Sequence, residues 1–204
     1  MLKEQPAKKT ALISVSDKKG LARFAKGLKK LGFSFVASGR NADYLEKHGV
    51  PATKTSKLTG WPPIMNPQGV KTIHPMIFGG ILADVNNPDH IKDIKKYGIR
   101  PFQIVICNFY PFEKTIARKK FSHENAIKNI DIGGPAMVRC AAKNYKNVTV
   151  IVDPNDYKSI LKELRSNGTT SLKTRETMAL KAFNYTKKHD GAIIDYLSKK
   201  FNGK

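Results

Sequence analysis

The sequence predicts an α/β fold, a three-layer sandwich around a largely parallel sheet with a helical C-terminal extension. Three observations predict it. Short apolar runs at 11–16, 33–37, 103–108 and 148–153 read as buried strands. Segments with helical spacing alternate with them, as a parallel sheet with crossover helices requires. Polar turns follow three of the runs, where ligands bind in such sheets.

Each element has its own justification. Residues 11–16, Ala-Leu-Ile-Ser-Val-Ser, form the first strand. Asp17 suits a helix N-cap. Leu21, Phe24, Ala25, Leu28 and Leu31 keep the spacing of one helix face. Gly32 stops that helix. Residues 33–37 give a second strand, 41–48 a short helix ending at Gly49, and 51–55 a third strand. The stretch 58–75 holds Gly60, Pro62, Pro63, Pro67, Gly69 and Pro75. It cannot be one regular element and reads as an extended active-site loop. Residues 103–108 are nearly all apolar and predict a central strand. Gly133-Gly134-Pro135 opens a small-residue helical run that ends at Lys143-Asn144. Residues 148–153 give another strand and 155–165 a helix. The segment 171–201 is mostly helical, with a break expected near His189-Asp190-Gly191. The reading is one domain over 1–204, with 1–10 a flexible tail and 171–204 the helical extension.

The composition bounds the function. The chain has 204 residues, 40% of them hydrophobic, and a net charge of +21. Arg supplies seven of the 37 cationic residues and Lys the other 30, so the excess is a general lysine bias with no arginine-rich stripe. Such a chain attracts phosphorylated metabolites or nucleic acid. Because the lysines are scattered, most of them read as solvated surface and nucleic acid is the weaker partner. Two cysteines, Cys107 and Cys140, predict a reducing compartment without a disulfide framework. No apolar run reaches the roughly 18 residues of a membrane span, and the polar start lacks a signal-peptide core. A cytoplasmic protein without membrane contact is the expectation. The cysteines and histidines lack zinc-ligand spacing, and no dinucleotide or P-loop glycine motif follows a strand.

The candidate chemistry lies in a few short stretches. Ser16-Asp17-Lys18 and Ser38-Gly39-Arg40-Asn41 each join a strand to a helix. Helix N-termini, hydroxyls and a lysine suit a phosphate, although ordinary capping explains either loop alone. Lys71-Thr72 lies in the Pro/Gly-rich loop, where a lysine can equally be solvated. Tyr110 follows the central strand and can equally be a packed aromatic with a satisfied hydroxyl. Cys107 reads as a small buried apolar residue, and His74 as structural. Asp131 precedes the Gly133-Gly134 turn. A straight helix rises about 1.5 Å per residue, so Asp131 and Lys143 would stand roughly 18 Å apart. Spacing alone does not make them one site.

In one order along nearly the whole chain stand Ser14–Gly20, Ala37-Ser38-Gly39, Gly69-Val70-Lys71-Thr72-Ile73-His74-Pro75, Cys107-Asn108-Phe109-Tyr110-Pro111-Phe112 and Asn129–Asn144. Together they resemble the inosine monophosphate (IMP) cyclohydrolase family, the N-terminal domain of the bifunctional purine-biosynthesis protein PurH. The resemblance implies a methylglyoxal-synthase-like fold and a homodimer. The implied reaction closes the ring of 5-formamidoimidazole-4-carboxamide ribonucleotide (FAICAR) to IMP with loss of water. Both reacting groups belong to one molecule, so no cofactor is implied. By resemblance Lys143 is proton donor and acceptor, Asp131 tunes its charge, Lys71 polarises the formyl oxygen and Tyr110 orients the base or relays a proton. Ser16, Asp17, Lys18, Ser38, Gly39, Arg40, Asn41, Gly69, Val70, Thr72, Cys107, Asn108 and Ile132 are implied to bind the nucleotide. A formyltransferase for 5-aminoimidazole-4-carboxamide ribonucleotide (AICAR), on a separate protein or an excised domain, is implied to supply the substrate.

The pattern departs from the family at the phosphate end. The family's Asp-Gly-Arg-Val-Lys-Thr stands here as Asn66-Pro67-Gln68-Gly69-Val70-Lys71-Thr72, and its Ser-Gly-Gly-Thr as Ser38-Gly39-Arg40-Asn41. An arginine is thus lost two places before Lys71, and Arg40 is the candidate to replace its charge. An acid is replaced by Pro63, and family histidines stand here as Phe78, Tyr145 and Tyr185. The rival readings are a nucleotide-binding or catalytically weakened relative, and methylglyoxal synthase.

Overall fold

The computed structural model describes residues 9–65, 70–110, 112–117 and 121–203. Its order is β1 (Thr10–Val15), α1 (Leu21–Lys30), β2 (Ser34–Ala37), α2 (Gly39–Lys47), β3 (Thr53–Lys54), α3 (Thr55–Thr59), α4 (Pro75–Leu82) and α5 (Pro88–Tyr97). It continues with β4 (Ile104–Asn108), α6 (Phe112–Ile116), α7 (His123–Lys128), α8 (Gly133–Lys143), β5 (Thr149–Ile151), α9 (Tyr157–Asn167) and α10 (Leu172–Phe201). The strands form one sheet in the order β3-β2-β1-β4-β5, and every neighbouring pair is parallel.

Two apolar layers follow from the strand period of two. Ala11, Ile13, Val15, Phe35, Ala37, Ile104 and Ile106 face one way and pack with Phe24, Leu28, Leu45 and Ile160 of α1, α2 and α9. Leu12, Val36, Val105, Cys107 and Val150 face the other way and pack with Ile77, Ile81, Met137, Val138 and Ala182 of α4, α8 and α10. Burial on both sides explains why the strands read as unbroken apolar runs. The α/β sandwich is thus present as expected. The strand order reverses between β1 and β4, so the loops after these two strands flank the crevice where such sheets bind ligands.

Several local expectations are corrected. Thr10 is fully buried at the start of β1, inside the segment expected to be a tail; residues 1–8 lie outside the described residues. Asp17 does not cap α1. Its carboxylate accepts the Lys19 amide at 2.8 Å in a local turn, and Gly20, at φ 70°, occupies the cap position instead. The α2 helix starts at Gly39, so Arg40 and Asn41 belong to its first turn. Helix α9 is preceded by a 3-10 turn, Pro154–Asp156. The α10 helix runs unbroken through Gly191. One glycine costs a helix about 1 kcal/mol, and here Ala179, Ala182, Thr186 and His189 bury one continuous face.

Candidate functional site

The candidate residues reach their places through the sheet. Ile13 pairs with Ala37 and Val15 with Asn108, so the chain leaves β1, β2 and β4 on one edge, with β1 in the middle. Asn108, 7% exposed, ties two of these exits together. Its side-chain oxygen accepts the Ser16 and Asp17 amides, each at 2.8 Å, and its amide nitrogen donates to the Asp17 carbonyl at 3.1 Å. Each of these three hydrogen bonds shapes the loop after β1. Lys18 leans over the Tyr44 ring of α2, which joins this loop to the one after β2. There Ser38 Oγ accepts from Asn41 Nδ2 at 2.8 Å, while the buried Asn41 Oδ1 has no hydrogen-bond partner among the described residues.

The first turn of α8 completes the edge. The Asp131 carboxylate accepts the Gly134 amide at 2.9 Å, satisfying one of the orphan N–H groups at a helix start. A Cβ on Gly134 would stand 2.6 Å from Asp131 Oδ2 and 2.7 Å from the Phe109 ring, so only glycine allows this approach. Cys107 Sγ donates to the Gly134 carbonyl at 3.8 Å. Burial, and then the Asp131 charge, hold its thiol well above the ordinary value. The thiol therefore stays protonated, and no nucleophile forms there.

The long loop reaches the same place. Thr72 is buried, and its hydroxyl stands 2.9 Å from where a Cβ on Gly133 would be. Ile64 and Val70 form an antiparallel bridge that brings the two arms of the loop together. Gly69 lies outside the described residues. His74 accepts the Met76 amide at 3.2 Å as the cap of α4, the structural part expected of it. Lys71 is exposed beside Thr72, Ile132 is exposed beside Gly133, and Tyr110 is half-buried after Phe109.

The structure thus brings the 16–18, 38–41, 70–72, 107–110 and 131–134 stretches to one edge. It does not bring Lys143. That residue is exposed at the last position of α8, one unbroken helix that leads on to β5. At about 1.5 Å per residue, α8 puts it roughly 15 Å from Gly133, at the other end of the helix from Asp131. Asn144 next to it donates to the Ile81 and Ala83 carbonyls at the end of α4.

Comparison with known proteins fits this layout. The family model described as MGS-like domain matches residues 20–136, more than half of the chain and every stretch of this edge except 16–18. The chain belongs to the MGS-like domain family. A second family model, described as AICARFT/IMPCHase bienzyme, matches residues 141–204. Proteins named bifunctional purine biosynthesis protein PurH are similar over nearly the whole chain. The one from Persephonella marina is 51% identical over 94% of this chain and 37% of its own length. Those from Thermoanaerobacter sp. and Bacillus subtilis are 47% and 44% identical over 95% and 93% of this chain. The chain spans about 37% of the length of these curated relatives. A solved structure, the crystal structure of ForH, superposes with a TM-score of 0.78 at 30% identity, over 91% of this chain and 96% of that one.

One part of this MGS-like site was not legible in the sequence. Phe109 and Tyr185 lie 76 residues apart, yet the Phe109 amide donates to the Tyr185 hydroxyl at 3.0 Å. The only signal was that a family histidine stands as Tyr185.

Proposed function

We propose that the chain is an IMP cyclohydrolase that closes the ring of FAICAR. The observation that carries this reading is the meeting of Thr72, Phe109 and Asp131 at Gly133 and Gly134 in the first turn of α8, with Lys71 and Tyr110 next in the chain to the first two. The phosphate-suited loops 16–18 and 38–41 lie beside them on the same sheet edge. The PurH names of the relatives support the same reading. In the reaction the carboxamide nitrogen attacks the formyl carbon, the formyl oxygen leaves as water after two protonations, and the carboxamide and formamido nitrogens each give up one proton. The protein must hold a near-attack geometry, stabilise oxyanion charge and move protons. The α8 N-terminus offers positive partial charge, Lys71 an ammonium for the developing oxyanion, and Tyr110 an orienting hydroxyl.

Lys143 can share a nucleotide with Asp131 only if a second copy supplies it, because in one chain the two stand at opposite ends of α8. This is our ground for proposing a homodimer. The substrate then comes from a formyltransferase acting on AICAR, and the two cysteines without a disulfide suit a cytoplasmic setting. Among the described residues no helix is long and apolar enough to cross a membrane.

The test is ring closure followed in the ultraviolet, for the wild type, Asp131→Ala, Lys143→Ala and an equimolar mixture refolded together. Both variants should be inactive alone. If Lys143 acts across two copies, random pairing restores about a quarter of the sites, one in each mixed dimer. No recovery refutes the shared site, and full activity of Lys143→Ala refutes its role. Absence of wild-type turnover with tight, base-specific IMP binding would mean a nucleotide-binding relative instead.

A further inference from the structure

The ladder partners of β4 run out before Phe109. Ile106 is the last residue paired with β5, and Asn108 the last paired with β1. Phe109 is nevertheless only 2% exposed, so its amide needs an acceptor inside the protein. The Tyr185 hydroxyl of α10 is that acceptor. The two rings also meet, with centroids 4.6 Å apart, and His189, one turn further along α10, meets the same ring edge-on at 5.0 Å. The Phe109 ring also lies against Gly134, where an added Cβ would meet it at 2.7 Å. Phe109 is thus clamped between α10 and the first turn of α8, directly before Tyr110 and in contact with the glycine that Asp131 holds.

We infer that Tyr185 is a positioning residue of this site: its hydroxyl fixes Phe109, and through Phe109 it sets Tyr110 against the Asp131–Gly134 turn. The catalytic part of this inference rests on the cyclohydrolase reading. Tyr185 keeps its proton over the working range, because burial raises its pKa, and Cys107, Asp131 and Glu113 raise it further against the opposing effect of the Phe109 hydrogen bond. The hydroxyl is therefore a neutral acceptor that does not switch. The nucleotide loops are held separately, by Asn108 and by Ser38. Loss of the Tyr185 hydroxyl should consequently disturb the reacting geometry and leave nucleotide binding intact.

Tyr185→Phe tests this, because it keeps the ring contact and removes only the acceptor. With FAICAR, kcat should fall roughly tenfold while KM stays within about twofold, the pattern of an interaction made in the transition state. A merely stabilising tyrosine would lower Tm and leave both constants unchanged well below Tm. A kcat within twofold of wild type, or a raised KM with unchanged kcat, overturns the inference. Amide exchange of Phe109 and Gly134, read by NMR in both proteins, separates the two claims. If the wild type closes no ring, the cyclohydrolase reading fails. The positioning role then stands if Tyr185→Phe speeds exchange at both amides, and falls if exchange is unchanged.

Discussion

Gly134→Ala isolates the contact on which the candidate site turns. The new Cβ would stand 2.6 Å from Asp131 Oδ2, 3.0 Å from its Cγ and 2.7 Å from the Phe109 ring. None of these groups can yield freely. Phe109 is clamped by Tyr185 and His189, and Asp131 is held by the Gly134 amide itself. Overpacking of this kind costs about 1–3 kcal/mol. Displacing the carboxylate from the amide adds part of the roughly 1.5–3 kcal/mol of a hydrogen bond to a charged group. The sum is about 2–4 kcal/mol, or roughly 4–16 °C in Tm for a chain of this size. Gly133→Ala is the matched control. It sits in the same helical turn, so the gain in helix propensity is comparable, but its Cβ meets only the Thr72 hydroxyl at 2.9 Å. That is one atom of one side chain, against a carboxylate and a clamped ring at Gly134, so the control should lose clearly less than Gly134→Ala. Calorimetry on the three proteins at one pH decides the matter. Gly134→Ala melting within 2 °C of Gly133→Ala would refute the reasoning, because the Asp131–Gly134–Phe109 packing would then be soft. Ring-closure kcat, measured well below the lower Tm, should fall with it.

Stability should also depend on alkaline pH. Burial, and then Asp131, raise the Cys107 thiol, and burial outweighs Lys143 in pushing Cys140 up to about 11 from an ordinary 9.0. Folded thiols that stay protonated contribute fully below about pH 9 and lose that contribution as pH rises through the folded values. The urea midpoint should therefore fall between pH 9 and 11, less steeply in Cys140→Ala; a flat profile would contradict this. Arg40→Ala should raise the FAICAR KM roughly tenfold or more with kcat little changed, because a charge-assisted phosphate contact is lost from the first turn of α2. An unchanged KM would show that Arg40 does not replace the missing arginine.

The sheet was legible because both of its faces are buried. Strands covered on two sides must be continuously apolar, and 11–15 and 104–107 are, apart from Ser14. Helix α5 was missed for the opposite reason: no residue in it is buried, so it carries little core signal. Its ends were nevertheless marked. Asn87 caps it, Pro88 opens it and Gly98 closes it at φ 63°. The break expected at Gly191 failed because propensity is local. Thr186 and His189 extend the buried face to within a turn of that glycine.

The site divides along the same line between local and distant contacts. The Asp131–Gly134 hydrogen bond spans three residues, and the Gly133-Gly134-Pro135 turn announced it. Asn108 reaching 92 residues back to Ser16, and Tyr185 reaching 76 back to Phe109, leave no local periodicity to read. Lys143 shows the limit most sharply. A motif groups Asp131 and Lys143 because they are near in sequence, and α8 puts a helix roughly 15 Å long between them. Helix α8 is continuous, so no bend returns the lysine to the carboxylate. Either the two residues serve different purposes, or the complete site takes one from each of two chains. The mixed-variant experiment separates these, since only the second arrangement lets two inactive proteins restore each other.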